Sequence, residues 1–452
     1  MALHPGGESV IRFEFEQSDQ EIYSAHGGLA LVGQLINRYS GLQERLREIP
    51  LRHGIAHIDL FRTYLGLLCT GKNDFEASEG VRQDRFFRSA LGIGQMPSSA
   101  RLRQRFDAQA EEFTRVADAT IVPLRRALKA RVSAEPSGPI ALHADVFCLD
   151  NSKTRKAGVG RTYHGYDGYA PIGAYLGAEG WCVGAELRPG TQHSQNAFGF
   201  FLDRVLPRAR ALADGRPLLL TLDGAHDALE NRQRLRCEGI DYLIKWNPRG
   251  EDPLGWWERA EREGCFVRLR EDKREALFEE IHRWRDGAQV REARRVVRLI
   301  ERTHDRRGQP LLFPDLELEG WWSNLTAEAF PAAALIRLYQ ERGTSEQFHS
   351  ELKSDLDLER LPSGKFETNE LVLALGALAY NLLRYIGQDT LIGPDAPPRK
   401  AARRRRIRTV LEEIIYKAVR LIRHGRRLRL RFARGDVGFP ALARCYAQLV
   451  QP

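Results

Sequence analysis

Residues 217–223 read PLLLTLD, an apolar run closed by Asp223 and Gly224. A strand with no polar alternation has no face for water, so this one belongs in a sheet covered on both sides. Asp223 then stands at the carboxyl end of a buried strand, where open α/β sheets place the groups that meet ligands. Upstream, IALHADVF at 140–147 alternates, with His143, Asp145 and Phe147 on one face and Leu142, Ala144 and Val146 on the other. Asp145 is a carboxylate inside an otherwise apolar strand, a costly position unless a partner or a cation meets it. Between the two acids, PIGAYLG at 171–177 and WCVGAEL at 181–187 read as strands in hairpin succession, and NAFGFFLDRVLPRARAL at 196–212 has helical spacing. Beyond Asp223, DALENRQRLRCEG at 227–239 reads as a helix and DYLIKWN at 241–247 as a strand. The predicted order is three strands, helix, strand, helix, strand, an α/β core whose first part spans 137–247.

Residues 1–136 carry apolar positions at helical spacing through Leu29–Ile36, Ile58–Leu68 and Phe86–Leu91, which predicts an N-terminal helical domain. Within it, Pro97-Ser98-Ser99 caps a short helix whose outward residues include Arg101 and Arg105, with Leu102 and Phe106 inward. That arginine stripe suits a DNA groove and equally suits an ordinary exposed face. After the core, residues 248–331 are strand-prone and hold Trp256, Trp257, Trp284, Trp321 and Trp322. They are too many for a loop and predict an inserted β-rich subdomain. The core resumes at 332–390, where the apolar stretch Leu371–Leu383 falls short of the ~20 residues that span a bilayer and holds Asn381, so it predicts a buried helix. A basic C-terminal helical region follows at 391–452.

The six cysteines among 452 residues include no C-x2-C pair, which argues against a zinc site or a disulfide framework and fits a reducing cytoplasm. The net charge of +9 is concentrated: Arg399 to Gly435 holds fifteen Arg or Lys against Glu412 and Glu413, a local +13 that leaves the remaining chain at −4. Such a stretch, Arg403, Arg404, Arg405 and Arg406 above all, binds phosphates by releasing counterions, unless it is a solvated or membrane-surface face. The turn NSKTRKAGVGR at 151–161 offers Lys153, Arg155, Lys156 and Arg161 to the same kind of backbone.

The stretch YQERGTSEQFHSELK at 339–353 sets Tyr339, Arg342, Glu346 and Lys353 at Y-x2-R-x3-E-x6-K. Thr344 and Gln347 have the form of a capping box, so a helix is expected near Ser345 with Glu346 in its first turn. Glu346, Ser350 and Lys353 then share one stripe with His349 at its edge, while Phe348 and Leu352 face a core. Glu and Lys at this spacing also describe a plain solvated face. The four positions, with LHADVFCLDNSKTRK around Asp145 and LLLTLDGAHDALEN around Asp223, resemble the insertion-sequence transposases of DDE domain group 1.

The resemblance implies a ribonuclease-H-like catalytic core with Asp145, Asp223 and Glu346 as catalytic acids and metal ligands. It implies two Mg2+ ions per site, with Mn2+ able to substitute, and DNA contacts from Tyr339, Arg342 and Lys353. It further implies a homodimeric paired-end complex on double-stranded DNA, excision at terminal inverted repeats, joining to target DNA, and a cytoplasmic, nucleoid-associated protein with no membrane. Many relatives carry an aspartate two residues after the first acid. Phe147 stands there instead, which leaves Asp150 as a second candidate. His226 and His349 lie three residues after Asp223 and Glu346, near enough to assist or to serve as structural hydrogen-bonders. A tryptophan of the inserted segment, Trp284, Trp321 or Trp322, would receive a flipped base if second-strand cleavage passes through a hairpin.

Overall fold

The computed structural model describes residues 14–134, 138–286, 289–393, 395–397, 400–425 and 427–451. Its centre is a nine-stranded mixed sheet. The strands are β1 (Ile140–Val146), β2 (Ile172–Leu176), β3 (Trp181–Glu186), β4 (Leu218–Leu222), β5 (Asp241–Lys245), β6 (Val267–Arg270), β7 (Lys273–Asp286), β8 (Gln289–His304) and β9 (Pro310–Ser323). Their spatial order is β6-β7-β8-β9-β5-β4-β1-β2-β3. β1, β2 and β3 pair antiparallel as a meander, and β4 and β5 then add parallel to β1. This is the order expected from the sequence, and every residue of β4 is buried as its unbroken apolar run requires.

The surplus at 248–331 is β-rich, but its strands extend the same sheet from the β5 edge. Trp321–Ser323 of β9 pair with Leu243–Lys245 of β5 and cover backbone groups that a bare edge would expose. The segment opens on a helix, Pro253–Glu263, that the aromatic and strand-prone composition concealed. Its punctuation was present: the Asp252 carboxylate accepts the Leu254 N–H, Pro253 takes the first turn, and Gly264 closes the helix at φ 65°.

The expected short helix after Ser98 is far longer, α1 (Ser99–Ala127), with Gln109 departing from helical geometry at φ −134°. Ser98 does cap it, and Leu102 and Phe106 are buried as expected. The core helices are α2 (Phe198–Ala213) and α3 (Leu229–Cys237), followed after β9 by α4 (Ala332–Glu341), α5 (Thr344–Ser350) and α6 (Phe366–Leu391). The C-terminal region departs from the helical expectation. Val419–His424 and Arg427–Phe432 form an antiparallel ribbon, with Ile22–Ser24 as its third strand. RLIRH and RLRLRF alternate at period two, so the local pattern overrode a reading made on charge alone.

α6 is long and apolar enough to cross a membrane on composition, yet 89% of its most apolar window is buried within the chain. It packs between α1 and β3. The polar residue that interrupts it has a purpose: the Asn381 amide donates to the Cys182 carbonyl at 2.8 Å and accepts the Cys182 N–H at 3.0 Å. One side chain thus satisfies two buried backbone groups on the edge strand β3. Replacing Asn381 by Ala strands both, at about 1 to 3 kcal/mol each. Urea unfolding of Asn381→Ala is expected to show a loss of about 2 to 6 kcal/mol, and a loss below about 0.5 kcal/mol would contradict this assignment.

Candidate catalytic centre

β1 and β4 are parallel neighbours in register, His143 opposite Thr221, and the two side chains share a hydrogen bond of 2.6 Å. Two residues further along each strand come Asp145 and Asp223, which the register therefore delivers to the same sheet end. Their charges are felt mutually. Burial pushes Asp145 up to about 6, with Asp223 adding to the rise and Arg342 opposing it. Burial acts most strongly, to raise Asp223, but His226, Arg342 and the Ala225 N–H together leave that carboxyl below its ordinary value. The contact is 2.8 Å from His226 Nδ1 to Asp223 Oδ1, with the buried imidazole packed 4.2 Å from the Phe198 ring. His226 thus orients one of the two acids.

Arg342 supplies the opposing charge to Asp145. Its Nη2 lies 2.7 Å from Asp145 Oδ2, and its Nη1 donates to the Tyr339 hydroxyl at 3.4 Å. Burial alone would lower the guanidinium pKa, and Asp145, Tyr339 and Asp223 together raise it above its ordinary value. The Tyr339 hydroxyl is pushed up to about 12 by burial and stays neutral. Arg342 and Gly343 both keep right-handed helical dihedrals, so α4 runs into α5 almost without a break. That continuity places Arg342 one turn before Glu346 on the same face.

α5 is held against the sheet by its other face and its far end. Phe348 packs on the Tyr175 ring at 4.9 Å and sits under Gly180, where φ is 72° and a Cβ would come within 2.1 Å of the Phe348 ring. His349 stacks on Phe147 at 4.5 Å and 18°, and burial drives its pKa down to about 3, so it is neutral. The aromatic two residues after Asp145 thereby receives the helix three residues after Glu346. Glu346 lies between Arg342 and His349, both anchored at the end of β1. It is exposed and makes no hydrogen bond or ion pair among the described residues. Among those residues no group of three or more His, Cys, Asp or Glu is arranged to hold a metal ion. The structure brings two acids together, then, and leaves Glu346 exposed on α5, one turn past Arg342 and outside any such group. Two facing carboxylates, one with an oxygen outside the His226 contact, are a donor set that suits a hard divalent cation.

The remaining candidates divide. Asp150 is in its own turn, accepting the Ser152 N–H at 2.8 Å, and hydrogen bonds from Ser152 hold it below the usual range. No contact joins it to Asp145 or Asp223 among the described residues. Lys353 falls on a π-helical turn, Glu351–Asp355, which shifts it from the expected stripe, and it pairs with Glu359 at 3.1 Å. Lys153, Arg155 and Arg101 are exposed. Arg161 pairs loosely with Asp167 at 3.7 Å. Lys156 turns inward to Asn151 Oδ1 at 3.0 Å and to the Leu361 carbonyl, and Arg105 reaches His57 Nδ1 at 2.9 Å. Trp321 and Trp322 are buried, the latter 4.0 Å under Arg232, whereas Trp284 is half-buried.

The arginine run holds the main surprise. Arg404 Nη1 meets Glu351 at 3.1 Å and its guanidinium lies 4.4 Å over Phe348, while Arg406 Nε meets Asp355 at 2.9 Å. Glu351 and Asp355 are buried acids just beyond α5, and Glu351 also pairs with the buried Arg384. Arg405 Nε donates to the Leu391 carbonyl at 3.2 Å, and Arg403 is exposed. These arginines fasten the C-terminal segment to the turn that follows Glu346. The sequence reading missed Glu351 and Asp355, whose signal was two acids beside apolar Leu352 and Leu356.

The model of the transposase DDE domain group 1 family matches residues 11–451, nearly the whole chain. No curated protein matches. Among solved structures, a cryo-EM structure of the piggyBac transposase synaptic complex with hairpin DNA is similar at 10% identity and a TM-score of 0.38, over 81% of this chain and 77% of that one. The chain belongs to the transposases of DDE domain group 1.

Proposed function

We propose that this DNA transposase serves an insertion sequence, cutting at terminal inverted repeats and joining the freed ends to target DNA as a homodimer on paired ends. The observation that supports this reading most is the pairing of Asp145 with Asp223 at the carboxyl ends of β1 and β4, with Glu346 held on the adjacent helix. DDE transposases use divalent metal ions, and Asp145, Asp223 and Glu346 are the residues that would hold two Mg2+, or Mn2+ in its place. Such ions activate an attacking oxygen and stabilise a leaving oxygen at phosphorus.

The protein's own groups position the substrate. Val146 N–H donates to Asp145 Oδ1 at 3.0 Å and His226 holds Asp223 Oδ1, so both carboxylates have fixed orientations. Arg342 Nε is buried and has no hydrogen-bond partner among the described residues, and its Nη2 is held by Asp145. Tyr339 steadies that guanidinium, and exposed Lys153 and Arg155 flank the end of β1 to meet the DNA backbone. Water and a DNA 3′ hydroxyl suffice as nucleophiles, so no side chain need form a bond to DNA.

Replacing Glu346 by Gln keeps shape and removes one ligand charge. Cleavage of inverted-repeat DNA is expected to fall more than about 100-fold while DNA binding stays within about threefold. Cleavage at the wild-type rate would sink the assignment, and cleavage without joining by the wild type would make the chain a nuclease. The raised carboxyl of Asp145 gives a second test. Its value is about 6 against an ordinary 3.8, so between those limits the folded protein holds a proton that a bound ion must expel. Mn2+ affinity, followed by electron paramagnetic resonance, should be flat above about pH 6 and fall by up to about tenfold per pH unit below it. An affinity that is unchanged from about pH 5 to about pH 7 would contradict this role for Asp145.

A further inference from the structure

The two-stranded ribbon Val419–His424 and Arg427–Phe432 separates its side chains except at its tip, where Arg423 and Leu428 are both exposed. Val419, Leu421, Leu430 and Phe432 pair across the strands and pack inward on the hydrophobic core. The opposite face carries Arg420 opposite Arg431, Ile422 opposite Arg429, and His424 opposite Arg427. Arg427, Arg429 and Arg431 are exposed and pair with no acid among the described residues, while Arg420 alone is matched, by Glu21. Tyr23, 62% exposed, adds an aromatic on the same face from the third strand. A groove of about 700 Å3 borders the ribbon, lined by Arg420, Arg423 and Arg427 of the ribbon, by Arg85 of the N-terminal helices and by Glu21. Among the described residues the ribbon thus carries an exposed row of arginines with no paired acid, whereas Arg404 and Arg406 face Glu351 and Asp355.

We propose that this ribbon is a duplex-DNA binding surface, gripping the phosphate backbone without reading sequence. It rests on the reading that the chain acts on DNA, and it names a surface outside the acid site. Alternate residues on a strand repeat every ~6.6 to 6.8 Å, so Arg427, Arg429 and Arg431 span a row of about 13 Å, comparable to the ~12 Å width of the major groove, which admits a two-stranded ribbon. Like charges crowded on one face repel each other, and a polyanion removes that repulsion by charge complementarity.

The test is a salt titration of the full-length chain on an arbitrary duplex of about 30 base pairs, comparing wild type with Arg427→Gln/Arg429→Gln/Arg431→Gln. Each lost phosphate contact removes about 0.9 from the slope of log affinity against log salt, so the slope should flatten by about 2 to 3. The matching triple Lys variant should keep it. Should the Gln triple melt early, Arg429→Gln alone is expected to flatten the slope by about 1. Wild type that binds with a slope the Gln variants share would overturn the proposal. So would a change confined to the sedimentation of the free protein, which would make the ribbon a contact between copies. Failure of the wild type to bind any duplex would instead overturn the reading of the chain as a DNA enzyme.

Discussion

Two carboxyl groups share a half-buried strand end only if a cation or a proton offsets their repulsion. Asp145 and Asp223 do share one, because β1 and β4 are parallel neighbours and both acids lie two residues past a matched pair. Burial in that position raises Asp145 even with Arg342 2.7 Å away, so the arginine offsets only part of the cost. A second consequence follows from the same contact. Arg342 is one turn from Glu346 on a nearly continuous helix, so the ion pair that relieves Asp145 also anchors the helix that carries Glu346.

The other side of that helix is fixed by buried charge. Glu351 is fully buried and meets Arg384, Arg404 and the Tyr380 hydroxyl, and Asp355 meets Arg406. Removing one member of such a network leaves an uncompensated buried charge, at about 3 to 5 kcal/mol. The π-helical turn at Glu351–Asp355 lets both acids point inward while Glu346, one turn earlier, stays open to solvent. Together with Phe348 under Gly180 and His349 on Phe147, the network makes α5 a rigid support. Positions close to developing charge benefit from such support, because reorganisation during the reaction is then small.

Much of this was legible in the chain itself. The apolar run at 218–222 and the alternation at 140–147 carry the strand order, and Asp145, unlike Asp150, lies within that alternating strand. Phe348 and Leu352 face inward as their spacing demands. What escaped reading depended on long-range partners or on weak local punctuation. Counting arginines at 399–435 could not reveal that Glu351 and Asp355, some 50 residues earlier in sequence, neutralise Arg404 and Arg406. The same count hid the period-two alternation of the ribbon. Asp252, Pro253 and Gly264 spelled a helix that two tryptophans disguised. The extension of the sheet beyond β5 rests on three residue pairs at Trp321–Ser323, a pairing that no local signal announces.

The claim at the centre is that one crevice, floored by β1 and β4 and walled by α5, collects Asp145, Asp223 and Glu346 around divalent ions. A crystal grown with Mn2+ and measured at the manganese absorption edge tests it directly. The account predicts an anomalous peak bonded to oxygens of both Asp145 and Asp223, with the Glu346 carboxylate completing the shell of that ion or of a second about 4 Å away. A peak at Asp150, or manganese bound away from the Asp145 and Asp223 pair, would contradict it.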